Sequence, residues 1–219
     1  MLKRFRRIKK NRGLLYVLNR FIELSRLYII GKISTWWFIF SFRIVGGHLG
    51  ENLSIYGRVI LRSTIGKISI GNNVTIVSSS WRCTSSALNH STKLCTLFPD
   101  AEIIIDDGCS LNGTAITCRS SKINVGKSVM VAPNVIMIDS NFHNPWPPEA
   151  RTQFGGDQDD APINICSNVW IGMNSIIMKG VTIGENSIVA AGSVVVNSIP
   201  PNCLAAGNPA KVIKKYDEV

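Results

Sequence analysis

Three histidines, His48, His90 and His143, are the side chains suited to exchanging a proton near neutral pH, since imidazole has an ordinary pKa of about 6.5. They lie far apart and in different contexts. A zinc site would need several such ligands to converge, so no metal centre is expected. The six cysteines, Cys83, Cys95, Cys109, Cys118, Cys166 and Cys203, include no C-x-x-C pair. That spacing argues against zinc as well, and for free thiols in a reducing cytoplasm. His143 stands out by its neighbourhood, Asp139-Ser-Asn-Phe-His-Asn-Pro145. It opens a loop, 142–164, that also holds Trp146, Pro145, Pro147 and Pro148, Arg151 and the carboxylates Asp157, Asp159 and Asp160. Aromatic rings stack on sugar faces and carboxylates bind hydroxyls, so the loop suits saccharide recognition, and loops of this length are usually functional or disordered. Asp139 stands near enough in sequence to orient the imidazole, a task that a backbone carbonyl performs equally well.

The elements that must position these residues are legible as a repeat. Ile165, Ile171, Ile177, Ile183, Val189 and Val195 recur at intervals of six, and three positions after each come Asn168, Asn174, Gly180, Asn186, Gly192 and Ser198. One inward aliphatic residue and one corner residue per hexad describe short strands wound into a coil; Gly and Asn suit the corners because they adopt positive φ. The same pattern appears in pieces at Ile70 and Ile76, at Ile105 and Leu111, and at Val125, Val131 and Met137. The phase resets between pieces, which predicts irregular or inserted segments at 77–104 and 138–164. The spacing predicts an all-β parallel solenoid over 46–215, with a loop inserted at 140–164. A helical appendage (1–45) and a C-terminal cap would protect its ends.

Charge divides the chain unevenly. Of its 219 residues, 1–43 hold 11 Lys/Arg against Glu23 alone, whereas 44–219 carry 13 bases and 13 acids. A neutral body with a basic appendage is not a nucleic-acid binder. Leu14, Leu15, Leu18, Phe21, Ile22 and Leu27 repeat at helical spacing after the cluster Lys3, Arg4, Arg6, Arg7, Lys9, Lys10 and Arg12. The apolar run 33–42, with Trp36 and Trp37, is too short to span a bilayer. This segment fits a peripheral position on an anionic membrane, and equally a helix packed on the domain or on a neighbouring subunit. No cleavable leader is evident. The expected location is cytoplasmic, with a place at the inner face of the cytoplasmic membrane left open.

The chain resembles the hexapeptide-repeat acyltransferases of left-handed β-helix fold, and among them the maltose, galactoside, nodulation-factor and surface-polysaccharide acetyltransferases. The likeness is carried by Asn168-Val-Trp-Ile-Gly172, Lys179-Gly-Val-Thr-Ile-Gly184, Ala190-Ala-Gly-Ser-Val-Val195 and Ala206-Gly-Asn-Pro-Ala-Lys211. It is strong over 163–215, weaker over 55–143, and leaves 1–45 outside. Left-handedness, and three hexads per turn stacking Ile165, Ile183 and Pro201, follow from the resemblance. So does a homotrimer that binds acetyl-CoA between subunits and transfers acetyl directly to an acceptor. The resemblance makes His143 the general base, with one extra residue between coil and histidine. It gives Asn112 to the acceptor; Trp170, Gly172, Ala190, Ala191 and Gly192 to the pantetheine; and Lys211 and Lys214 to the CoA phosphates. Met173 stands where some relatives carry Ser. The implied function is acetyl-CoA-dependent O-acetylation of a saccharide in bacterial surface polysaccharide (O-antigen, capsule or exopolysaccharide) biosynthesis, on a free, nucleotide-linked or lipid-linked acceptor. N-acetylation of a nucleotide-linked amino sugar and a non-catalytic β-helix scaffold are the alternatives.

Overall fold

The computed structural model describes residues 2–62, 64–152 and 159–217, the side chains of 2–12 excepted. Asp157 and the basic side chains from Lys3 to Arg12 therefore lie outside the described residues. Short strands wind into six coils with three faces, each face a sheet whose neighbours are parallel until the last hairpin. The first face starts at His48–Leu49, the second at Ser54–Tyr56 and the third at Ile60–Arg62. Ile165, Ile171, Ile177, Ile183, Val189 and Val195 are all fully buried. They stack in pairs between two successive coils, Ile165 with Ile183, Ile171 with Val189 and Ile177 with Val195, and so build part of the central aliphatic column in which each coil covers the edge of the one before. Burial of this column is the main stabilising term, at about 1.5–3 kcal/mol per Val or Ile side chain.

The corners work as the sequence requires. Asn52, Asn73, Asn134, Asn168, Asn174, Asn186 and Asn202 all adopt positive φ, and their side chains link successive coils, as in Asn168 to Asn186 (3.2 Å) and Asn186 to Asn202 (2.9 Å). Gly172 is needed for another reason. A Cβ there would come within 2.5 Å of Ala191 N, so the coils stack closely at this corner only with glycine.

Two expectations need correction. The irregular stretch at 77–104 shrinks to 78–92, because Lys93–Thr96 and Glu102–Ile105 are strands with Leu94, Ile103 and Ile105 buried. The corner between them is not a whole hexad, so the phase is lost while the coil continues. Ile199 rather than Pro201 pairs with Ile183. The last turn is shortened, and Pro200 and Pro201 form the corner that packs against Gly184.

A helix, Leu2–Val45, with non-helical φ/ψ at Gly13, covers the first coil. Phe38 and Phe42 enter the core, while Thr35 Oγ1 accepts from Ile55 N–H (2.9 Å) and Ser34 Oγ from Gly57 N–H (3.1 Å). These hydroxyls satisfy an edge strand that would otherwise be open to pairing. Between Leu14 and Phe40 the helix also carries apolar side chains that nothing covers: Leu15 is 82% exposed, and Phe21, Ile22, Tyr28, Ile29, Ile33, Trp36, Trp37 and Phe40 are exposed too. Among the described residues, no helix is long and apolar enough to cross a membrane. At the far end, Cys203–Gly207 and Ala210–Lys215 pair antiparallel and close the second face.

Candidate active site

A groove of about 470 Å³ runs along the second face and its edge with the third. Four successive coils contribute at the same point of the turn: Ser110 and Asn112, then Met130 to Pro133, then Trp170, Gly172 and Met173, then Ile188 to Ala191. The repeat therefore brings together Asn112, Trp170, Gly172, Ala190 and Ala191, which are scattered over eighty positions of sequence. The floor is small and apolar, and Trp170, 48% exposed, forms a wall. Asn112 is fixed by its Nδ2 donating to Val131 O (2.9 Å). Its Oδ1 accepts no bond among the described residues. Gly192 takes positive φ at the next corner and does not line the groove. Lys211 and Lys214 extend from the closing hairpin at the C-terminal end of the same face.

His143 lies elsewhere. It follows the third-face strand Ile136–Ile138, at the edge where the chain turns toward the first face. The width of the third face, about four residues at about 3.3 Å each, separates this edge from the groove. An imidazole must come within about 3 Å of the proton it takes, and His143 lines a separate recess with Arg119, Ser140, Asn144 and Asp160, not the groove. Trp146, 75% exposed, projects from the same loop.

The ground beneath His143 is polar and buried. Arg119 and Asp160 form an ion pair at 3.0 Å with side chains only 3% exposed. Ser120 Oγ donates to the same Asp160 oxygen at 2.6 Å. Burial pushes the Asp160 carboxyl up, but hydrogen bonds from Ser120, Ser140 and Arg119, together with the Arg119 charge, outweigh it and hold the group below its ordinary value. Arg119 also lies 5.0 Å over the Phe98 ring. This network pins the returning end of the inserted loop to the coil carrying His143.

Asp139 is fully buried, and its carboxylate accepts from the N–H groups of Arg119 (2.6 Å) and Ser121 (3.0 Å) and from the Cys118 thiol. It shapes the turn at 119–121. Burial first, then the Asp139 charge and hydrogen bond, push Cys118 up to about 12, and burial takes Cys109 to about 11. Both thiols stay protonated and unreactive at neutral pH. Phe142, immediately before His143, has φ 63, a position that bulky residues rarely occupy. Its N–H donates to Ser140 Oγ (2.9 Å). Strained backbone of this kind gathers where a neighbouring side chain must be aimed.

Sequence reasoning missed the Arg119–Asp160 pair, since nothing in the pattern couples positions 41 apart. It also missed Arg82, Thr84 and Ser85, which line the groove from the 78–92 insertion. Only the break in the hexads marked that segment.

Residues 162–197 match the family described as bacterial transferase hexapeptide, six repeats. The chain is 43% identical over 96 residues to a galactoside O-acetyltransferase of Escherichia coli K12, a match covering 44% of this chain and 45% of that protein. The chain spans about half the length of the curated relatives it matches. Among solved structures, the polysialic acid O-acetyltransferase OatWY superposes with a TM-score of 0.57 at 24% identity, covering 77% of this chain and 81% of that one. AntD, an N-acyltransferase from Bacillus cereus in complex with dTDP and 3-hydroxybutyryl-CoA, gives 0.60 at 21% identity over 81% and 87%. With the stacked hexads and the three-faced coil, these likenesses show a left-handed β-helix fold whose residues 162–197 match the hexapeptide repeat, in a chain similar over part of its length to a galactoside O-acetyltransferase.

Proposed function

We propose that the protein is an acetyl-CoA-dependent O-acetyltransferase acting on a saccharide of a bacterial surface polysaccharide, and that it works as a homotrimer. The groove carries this reading. It is long, apolar and floored by small residues, as a pantetheine arm requires, and a Cβ at Gly172 would displace the coil that shapes it. Lys211 and Lys214 at its C-terminal end suit phosphate oxygens, and Asn112 at its other end faces the thioester. In a trimer, cyclic closure brings the groove of one subunit against the His143 edge of the next. His143 then takes the proton of the attacking hydroxyl. The oxygen adds to the thioester carbonyl, the C–S bond breaks, and the imidazolium returns its proton to the departing sulfur. The products are an acetyl ester and CoA.

The exposed apolar length of the helix, preceded by seven Lys/Arg in residues 1–12, supports a place on the anionic inner face of the cytoplasmic membrane. CoA release measured against a panel of free, nucleotide-linked and lipid-linked sugars tests the assignment. Hydroxyl acceptors should drive release that His143→Ala abolishes. Release with amino sugars alone would replace O-transfer by N-transfer, and no acceptor-dependent release at all would make the coil a scaffold.

A further inference from the structure

The segment 78–92 leaves the second face after Val77 and returns to the third at Lys93. It therefore emerges at the very edge along which the groove runs. It is anchored at several points. Asn89 N–H donates to Asn134 Oδ1 (2.9 Å), Asn134 Nδ2 to Ala87 O (3.3 Å), and Leu88 N–H to Ser80 Oγ (2.9 Å). Trp81 lies 4.8 Å beneath the guanidinium of Arg26 on the N-terminal helix. This anchoring sets Arg82, Thr84 and Ser85 at the groove's helix-proximal end, beyond Asn112.

Arg82 is the one charged side chain lining the groove among the described residues. Its guanidinium rests 4.9 Å over the Tyr56 ring, which fixes the plane of the fork. No ion pair among the described residues engages it. A half-buried cation without a carboxylate, stacked on an aromatic ring and flanked by the hydroxyls of Thr84, Ser85 and Ser110, has the donor set that a planar or tetrahedral oxyanion needs. The direction of the groove identifies whose anion this is. On the acetyltransferase reading, on which this inference rests, the donor's phosphates lie toward Lys211 and Lys214 and its thioester near Asn112. What lies beyond Asn112 is the acceptor.

We infer that the acceptor is an anionic saccharide whose phosphate or carboxylate is held by Arg82. Two sources share this chemistry: a sugar carried on a phosphate, and a sugar bearing a ring carboxylate.

The test uses the full-length protein and its Arg82→Gln and Arg82→Lys variants. Binding of glucose 1-phosphate, glucuronic acid and methyl glucoside is measured by calorimetry, and CoA release with each is followed in parallel. The wild-type protein should bind one of the two anions at least about tenfold more tightly than the neutral sugar, since a hydrogen-bonded charge contributes roughly that factor or more. Glucose 1-phosphate winning indicates the carrier phosphate, and glucuronic acid the ring carboxylate. Arg82→Gln should collapse that preference at least about tenfold, with Arg82→Lys between the two, because a point charge replaces the fork. In turnover the loss should appear in the KM of the acceptor and not in that of acetyl-CoA. Equal binding of all three probes by the wild-type protein would overturn the inference. A raised KM for acetyl-CoA would overturn it too, by giving Arg82 to the donor's phosphates. Absence of CoA release with every acceptor would instead count against the acetyltransferase reading, while the binding comparison still decides the role of Arg82.

Discussion

Replacing His143 by Ala removes a group whose proton transfer contributes typically about 10²–10⁴-fold. Turnover should fall by that factor while the trimer forms and acetyl-CoA still binds; a variant retaining more than half the wild-type rate removes His143 from the mechanism. Asp160 makes a different contribution. Because its folded-state pKa is depressed, its stabilisation is present in full above the ordinary value of 3.8 and is lost as pH falls through the lower folded value. Asp160→Asn should cost about 3–5 kcal/mol at pH 7, as breaking a buried ion pair does. In urea titrations the gap between wild type and variant should narrow below pH 4; an unchanged gap would show that the carboxylate charge is not what counts. His143 could be singled out in the sequence by its loop and by motif likeness. The bonds beneath it could not, because Arg119 and Asp160 meet only once an insertion has folded back onto the coil.

At the scale of elements, the strands were legible wherever the period held, because one buried aliphatic residue per hexad is enough to specify them. They were obscured where a corner changed length, as between Thr96 and Glu102 or at Ile199, since a slip in phase hides a strand without removing it. The helix was legible as an element but its exposure was not. Spacing alone cannot tell Phe38 and Phe42, which are buried, from Trp36, Trp37 and Phe40, which are not. Deleting residues 1–12 removes seven bases and leaves every hexad in place. Each base contributes about 1 kcal/mol at an anionic surface, so co-sedimentation with phosphatidylserine vesicles should fall sharply, while activity on a small soluble acceptor barely changes. Binding by the full chain should weaken as salt rises, since exposed charges are screened within about 10 Å at 0.1 M. Undiminished vesicle binding by the truncated chain would leave the apolar helix as a surface for protein.

For the whole molecule, the central claim is that the groove of one subunit works with His143 of its neighbour. It rests on the groove and His143 lying in separate recesses of the coil. Mixing two inactive proteins tests it most directly. His143→Ala keeps an intact groove; Ala191→Trp, at an exposed groove position, blocks the groove and keeps the histidine. After the subunits are dissociated and reassembled at equal ratio, random closed trimers place an intact groove beside an intact histidine at about one site in four. The account predicts recovery of about a quarter of wild-type CoA release in the mixed sample and none in either parent. Mixed trimers that form, as shown by tagged pull-down, yet stay inactive would contradict it, because each site would then lie within a single chain.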